Sequence, residues 1–194
     1  MQDFRDLFSA EAIAADVQLD IGKQTILFTD VVGSTRYYEV VGDAAAFATV
    51  RKHFLEAYAI VKRNGGVIVK TIGDAVMGAF TDPASALRAS IEIQRYFNGR
   101  TENSPLRLRV TIHAGRCIAV NLNSNIDYFG STVNLAAKLQ AIAGAGEIAF
   151  TPDVSQDPGV RELLASEKFP VEEIPFEMKW ADEKSIVAQR IKVE

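Results

Sequence analysis

An α+β fold follows from three observations on the sequence. Segments rich in β-branched and aromatic residues recur along the chain, and they outnumber the amphipathic, helix-type segments between them. Two of the strand-type segments, VIVK and AVMGAF, are joined by a turn containing Gly73 instead of by a helix, so the sheet is expected to be largely antiparallel. The order of segments from Lys23 onward is β-α-β-β-α-β, followed by one more helix and further strands. That order predicts a ferredoxin-like βαββαβ core, helices packed on the sheet, with a C-terminal αβ extension.

Each element has a local reason. KQTILFTDVV is a short buried strand, and VGDAAAFATVRKHFLEAYAIVKRNGG reads as one long helix with apolar Phe47, Val50, Phe54, Tyr58 and Val61 at three- and four-residue steps. Gly65 and Gly66 stop it. DPASALRASIEIQRYFNG supplies a second helix, with Pro83 near its start and Gly99 just past its end. LRLRVTIHAGRCIAVNL is a long strand expected to bend at Gly115. GSTVNLAAKLQAIAGAG is a third helix, with Leu135, Leu139 and Ile142 as the stripe that seats it, and EIAFTP, FPVEEIPFEM and KSIVAQRIKV are strands. Residues 1–22 are acidic, carry a short helical pattern around Phe4, Leu7 and Phe8, and have no evident place in the sheet. The expectation is a lead-in or linker over 1–22 and one domain over 23–194.

Composition narrows the function. At 194 residues, with 48% apolar and 24% charged residues, the chain can bury a core without disulfides or a structural metal. Its net charge is −4 and it has no basic run, which argues against a nucleic-acid groove. The single cysteine, Cys117, lies in an apolar run and is expected to be a buried, inert thiol. No apolar run approaches the roughly 20 residues of a membrane span, and the N-terminus is unlike a signal peptide; a soluble, cytoplasmic protein is expected.

Two aspartates sit at tight turns beside glycine, Asp30 in FTDVVGST and Asp74 in TIGDAVMGAF. If the first strand pairs with the hairpin, both carboxylates come to one edge of the sheet. Two hard oxygen ligands on strand ends suit Mg²⁺, which keeps several waters and takes its other ligands from phosphates. The glycine and helix start after Asp30 offer backbone N–H groups to a polyphosphate. Each aspartate taken singly also fits a turn or cap role. Asn134 and Lys138, four residues apart, share one helix face.

FTDVVGST, VKTIGDAVMGAF and DYFGSTVNLAAKLQ, in this order and at these separations, resemble the signature segments of class III nucleotidyl cyclases, the adenylate/guanylate cyclase catalytic domain. The resemblance runs from about Thr25 to the end of the chain. It implies a head-to-tail homodimer with the nucleotide between two domains, the metal carboxylates coming from one subunit and the base-reading and transition-state residues from the other. By that resemblance Asp30 and Asp74, with the backbone carbonyl of Val31, hold two Mg²⁺ or Mn²⁺ ions. Lys70 and Asp127 match the pair that reads adenine, which fits adenine's N1 acceptor and N6–H₂ donor; ATP is favoured over GTP. Asn134 matches the residue that positions the ribose or stabilises the transition state.

Lys138 departs from the family, whose usual residue at this position is arginine. Lysine keeps the charge but loses the planar fork. The NLNSNI stretch before Asp127 is uncharged where many relatives carry a basic residue. The resemblance offers Lys179 as a match to a phosphate-binding lysine of the family, but it reads first as a surface lysine, and His113 has no carboxylate neighbour in sequence and is left outside the expected site. The expected activity is conversion of ATP to 3′,5′-cyclic AMP and pyrophosphate. The alternatives are the same chemistry on GTP, or a silent cyclase-like module that binds nucleotide or dimerises. The resemblance also admits a longer, multidomain parent protein.

Overall fold

The computed structural model describes residues 18–98, 106–122, 125–178 and 184–193. Its elements are β1 (Gln18–Val31), α1 (Ser34–Val41), α2 (Asp43–Arg63), β2 (Val67–Ile72), β3 (Ala75–Phe80), α3 (Pro83–Asn98), β4 (Leu108–Leu122), β5 (Asn125–Phe129), α4 (Ser131–Lys138), a 3₁₀ turn (Leu139–Ile142), β6 (Glu147–Phe150), α5 (Pro152–Ser155), α6 (Pro158–Glu167), β7 (Glu172–Met178) and β8 (Lys184–Lys192).

The sheet runs β2-β3-β1-β4-β6-β8-β7, with β5 paired to β4 outside this path. Its first four strands are antiparallel throughout, which is the βαββαβ arrangement the sequence predicts. β6 joins β4 in parallel, β8 pairs antiparallel to β6, and β7 antiparallel to β8.

Alternation along β1 assigns its side chains to two layers. Leu27 and Val31 pack with Val61 of α2, Leu87 of α3 and Ile112 of β4 in the larger core. Ile26 and Phe28 face the other way, against Met77, Cys117 and Ala136. α2 and α3 therefore cover one face of the sheet and α4 the other. Each large apolar side chain buried in these layers stabilises the fold by about 1.5–3 kcal/mol before entropy is counted.

Four details differ from the sequence reading. β1 begins at Gln18, so it takes in residues 18–22, expected in the lead-in, and its first three residues pair with β4 from Gln18↔Val120 to Asp20↔Ile118. Gly22, at φ 72°, lets the strand kink where the register shifts between Asp20 and Lys23, so it does not end the strand. The long helix is preceded by a separate one, α1, because Gly42 stands between them at φ 82°, ψ 152°. Of the expected stripe Val50 and Val61 are buried, but Phe47 is 58% exposed, and the rest of the buried face of α2 is made by Ala46, His53, Ala57 and Ile60. Helix α6 and strand β5 belong to no element expected from the sequence. The pattern around Phe4 and the residues Gly99 and Lys179 lie outside the described residues.

Candidate functional site

β1 and β3 pair with Thr29 opposite Val76, and the β2–β3 turn is the two residues Gly73 and Asp74 between Ile72 and Ala75. Asp30 is thus one residue beyond that rung and Asp74 two residues before it, so both carboxylates stand at one end of the sheet. Thr29 Oγ1 accepts a hydrogen bond from the Val76 amide at 3.2 Å, which fixes the two strand ends together. Val31 is buried and pairs with Leu108.

The two aspartates have different surroundings. Arg109 Nε donates to Asp30 Oδ2 at 2.6 Å, and Arg109 Nη2 lies 2.5 Å from the same oxygen. Asp74 Oδ2 is buried and has no hydrogen-bond partner. A buried carboxylate oxygen without a donor is costly, and a divalent cation would relieve it. Among the described residues no cluster of three or more His, Cys, Asp or Glu side chains could hold a metal. Two carboxylates and a backbone carbonyl are hard oxygen donors, and they fit Mg²⁺ or Mn²⁺ better than a softer metal.

Asp74 also lines a cleft of ≈ 460 Å³ with Gly73, Asp43 and the α1 residues Ser34, Thr35, Tyr38 and Glu39. α1 starts after Gly33 at φ 74°, and no side chain caps its N-terminus. Its first backbone N–H groups therefore remain to be satisfied by water or an anion. Behind Asp74 lies His53 of α2, 1% exposed, packed on Phe97 with ring centroids 4.9 Å apart and with neither ring nitrogen hydrogen-bonded. Burial pushes its imidazole down to about 4, an effect the Asp74 charge partly opposes.

Lys70 and Asp127, 57 positions apart in the chain, meet on the other side of the hairpin. β5 sets Asp127 opposite Val120, and Lys70 Nζ donates to Asp127 Oδ2 at 2.6 Å. Asp127 Oδ1 accepts from the Tyr128 amide at 2.8 Å, and Lys70 Nζ lies 5.5 Å from the centre of the Phe129 ring. Lys70 thus pairs with Asp127, although Asp74 is its nearer carboxylate in sequence.

Asn134 and Lys138 are exposed on α4, on one face as their spacing requires. Of the expected stripe, Leu139 is buried, and Leu135 and Ile142 pack partly buried against it beside Phe176 and Ala188; Thr132 and Ala136, not expected, are buried as well. Small residues bring α4 close to β4. Thr132 Oγ1 donates to the Arg116 carbonyl at 2.7 Å, and Thr111 Oγ1 donates to the Ala136 carbonyl at 2.7 Å. A Cβ on Gly115 would come within 2.5 Å of Thr132 Oγ1. Gly115, expected to bend the strand, stays in register opposite Gln24 and serves this close approach.

Arg109 is the site residue that sequence reasoning missed. It lies in the LRLRV strand segment without any motif to mark it, and it shares a strand face with Thr111 and His113, both buried. His113 Nδ1 lies 2.7 Å from Thr151 Oγ1, and burial lowers its pKa. It takes no part in the set around Asp30 or Lys70. Cys117 is buried, and burial raises its thiol pKa, as expected of an inert cysteine.

The family model of the adenylate and guanylate cyclase catalytic domain matches residues 18–173. The chain belongs to that family. This cyclase domain is 27% identical over 165 residues to the adenylate cyclase of Mycosarcoma maydis, covering 73% of the chain and 6% of the relative. It spans less than half the length of the curated relatives it matches, reaching 43% in a Mycobacterium bovis protein that is 30% identical over 131 residues. Among solved structures, the adenylyl cyclase CyaB of P. aeruginosa superposes with a TM-score of 0.75 at 22% identity, covering 91% of this chain and 96% of that one. The guanylate cyclase domain of RhGC from Catenaria anguillulae, solved in complex with GTP, gives 0.73 at 22% identity, covering 91% and 98%. At these identities the structural likeness speaks for the fold. No helix among the described residues is long and apolar enough to cross a membrane.

Proposed function

We propose that the cyclase domain converts ATP to 3′,5′-cyclic AMP and pyrophosphate at a site shared by two copies of the chain. The observation that carries this reading is the Lys70–Asp127 pair, held at 2.6 Å. Along one ring edge adenine presents an acceptor at N1 and a donor at N6, and guanine presents the opposite pair, a donor at N1 and an acceptor at O6. An ammonium facing N1 and a carboxylate facing position 6 match adenine at both places and guanine at neither. Lys70 has three donors and Asp127 has lone pairs beyond those used by Lys70 and Tyr128, so both keep capacity for a base.

Asp30 and Asp74, with the Val31 carbonyl, would hold two Mg²⁺ or Mn²⁺ ions. The ions would supply Lewis acidity at the phosphates and a lowered pKa at the attacking hydroxyl. The substrate's 3′-oxygen attacks the α-phosphorus, the bond from that phosphorus to the bridging oxygen breaks, pyrophosphate leaves, and the hydroxyl proton passes to solvent. The uncapped N-terminus of α1 and the cleft beside it receive the polyphosphate. Arg109, turned from Asp30, adds positive charge at the same end. Asn134 orients the ribose and Lys138 places an ammonium at the α-phosphate, each serving the partner's metal carboxylates.

Exposed apolar side chains support a second copy. Val40 and Phe47, on the two helices that border the Asp74 cleft, are 75% and 58% exposed, and Ile72 and Ile126, within two residues of Lys70 and of Asp127 in sequence, are 52% and 64% exposed. Such side chains around polar sites are typical of association surfaces. The test is turnover of ATP against GTP with Mg²⁺ and with Mn²⁺, over a dilution series. Cyclic AMP as the main product, with a rate per chain that falls on dilution, is expected. Preferred GTP turnover would overturn the base assignment. A second reading, a nucleotide-binding module without turnover, is favoured by Lys138 standing where the family carries arginine. Binding of ATP without product, not restored by Lys138→Arg, would select it.

A further inference from the structure

Arg109 of β4 splits its guanidinium between two partners. Nε and Nη2 face Asp30 Oδ2 at 2.6 and 2.5 Å, while Nη1 donates to the Gln140 carbonyl at 3.1 Å. Gln140 lies in the 3₁₀ turn Leu139–Ile142 that follows α4 without a break, two residues after Lys138. The same turn has a second anchor. Arg190 of β8 donates to the Ile142 carbonyl at 3.0 Å and is itself fixed by Glu147 at 3.0 Å and Glu172 at 2.6 Å. One end of the turn is thus tied to a structural ion-pair network, and its middle is tied through Arg109 to the carboxylate expected to receive a cation.

We propose that Arg109 couples cation occupancy at Asp30 to the helix that carries Asn134 and Lys138. The inference rests on the two-cation, shared-site reading given above and adds a regulatory link to it. A divalent cation at Asp30 brings a second positive charge to an oxygen that already faces two guanidinium nitrogens. The Asp30 and Arg109 side chains are only 15% and 32% exposed, so the repulsion is poorly screened. The cation therefore displaces Arg109 from Asp30. A guanidinium is rigid and planar, so its fork cannot leave Asp30 and keep its aim at the Gln140 carbonyl. The turn then loses one of its two arginine anchors, keeping Arg190 and the buried Leu139, and the end of α4 bearing Lys138 gains freedom to move. In the shared-site dimer Asp30 serves one site while Asn134 and Lys138 serve the other. Loading one site with cation thereby changes the clamp of its neighbour.

Amide hydrogen exchange of the whole chain, with and without Mg²⁺, tests this beside calorimetric titration of Mg²⁺, with no turnover needed. In the wild-type protein Mg²⁺ is expected to speed exchange of the amides of residues 139–143 about fivefold or more and to leave α6 unchanged. In Arg109→Gln those amides exchange fast from the outset and do not respond, and Mg²⁺ binds about tenfold tighter because the competing charge-assisted pair is gone. Arg109→Lys keeps a charge at Asp30 but has no fork. Its Mg²⁺ affinity stays within about threefold of wild type while the turn becomes unresponsive. If Arg109→Gln does not fold, the wild-type and Arg109→Lys measurements decide. Mg²⁺ binding to the wild type with silent turn amides, or no gain in affinity in Arg109→Gln, overturns the coupling alone. Failure of wild type to bind Mg²⁺ any better than Asp30→Asn overturns the coupling together with the metal assignment.

Discussion

Replacing Lys70 by glutamate puts a carboxylate where Lys70 Nζ now stands 2.6 Å from Asp127 Oδ2. The first effect is loss of the donor proposed to face adenine N1. A hydrogen bond to a charged group contributes about 1.5–3 kcal/mol, so kcat/KM for ATP is expected to fall about 10- to 150-fold. The second effect is repulsion between Glu at 70 and Asp127. At an effective dielectric constant of about 20 and a separation of about 4 Å it has an upper bound of about 4 kcal/mol. Most of that is relieved, because the side chain at 70 is 35% exposed and can turn into water. A residual cost of about 1 kcal/mol lowers Tm by about 2–4 °C. The assay is turnover of wild type and variant with ATP and GTP, the cyclic products separated and quantified, beside a melting curve. Loss confined to ATP is expected. ATP turnover within about threefold of wild type, or equal losses on both nucleotides, would refute the claim that Lys70 reads the base.

Three further outcomes follow from the structure. On the proposed placement of Lys138 at the α-phosphate, Lys138→Arg supplies a two-pronged donor there and is expected to raise kcat by up to about 100-fold with little change in KM, measured at saturating ATP. The imidazole of His53, held down at about 4 against an ordinary 6.5, stays neutral in the fold while the unfolded chain takes up a proton. Its contribution to stability is full above pH 6.5 and is lost as pH falls from 6.5 to about 4, by about 3 kcal/mol in all. Urea unfolding across that range should show a steeper loss in wild type than in His53→Leu. Gly115→Ala forces a methyl group to 2.5 Å from Thr132 Oγ1 and is expected to cost about 1–3 kcal/mol and to depress kcat, with partial recovery on adding Thr132→Ala.

The order of the core strands and helices was legible because its signals are local: alternation in the strands, a Gly-Asp turn between VIVKTI and AVMGAF, and glycines after the long helix. The shared face of Asn134 and Lys138 was legible for the same reason. The meeting of Lys70 with Asp127 was not, since no local rule pairs β2 with a strand 57 residues later; only the family resemblance linked the two. Helix periodicity misassigned Phe47 because it ranks side chains by hydrophobicity, whereas the tight packing of α2 on the sheet selects Ala46 and Ala57. On α4 the small residues Thr132 and Ala136 are buried in addition to the expected Leu139. Residues 18–22 were assigned to the lead-in because they show no clear strand pattern, but Gly22 accommodates a kink within β1. Arg109 escaped notice because alternation alone does not tell a solvent face from a face that α4 covers.

The central claim, that two chains share each site, is tested most directly by mixing two inactive variants, Asp30→Asn and Asn134→Ala. In a mixed dimer one site draws its carboxylates from the Asn134→Ala chain and its clamp from the Asp30→Asn chain, and is intact. Equal mixing gives half mixed dimers with one working site of two, so about one quarter of wild-type cyclic AMP production is predicted. A mixture as inactive as its components, with mixed dimers demonstrably formed, would contradict the account.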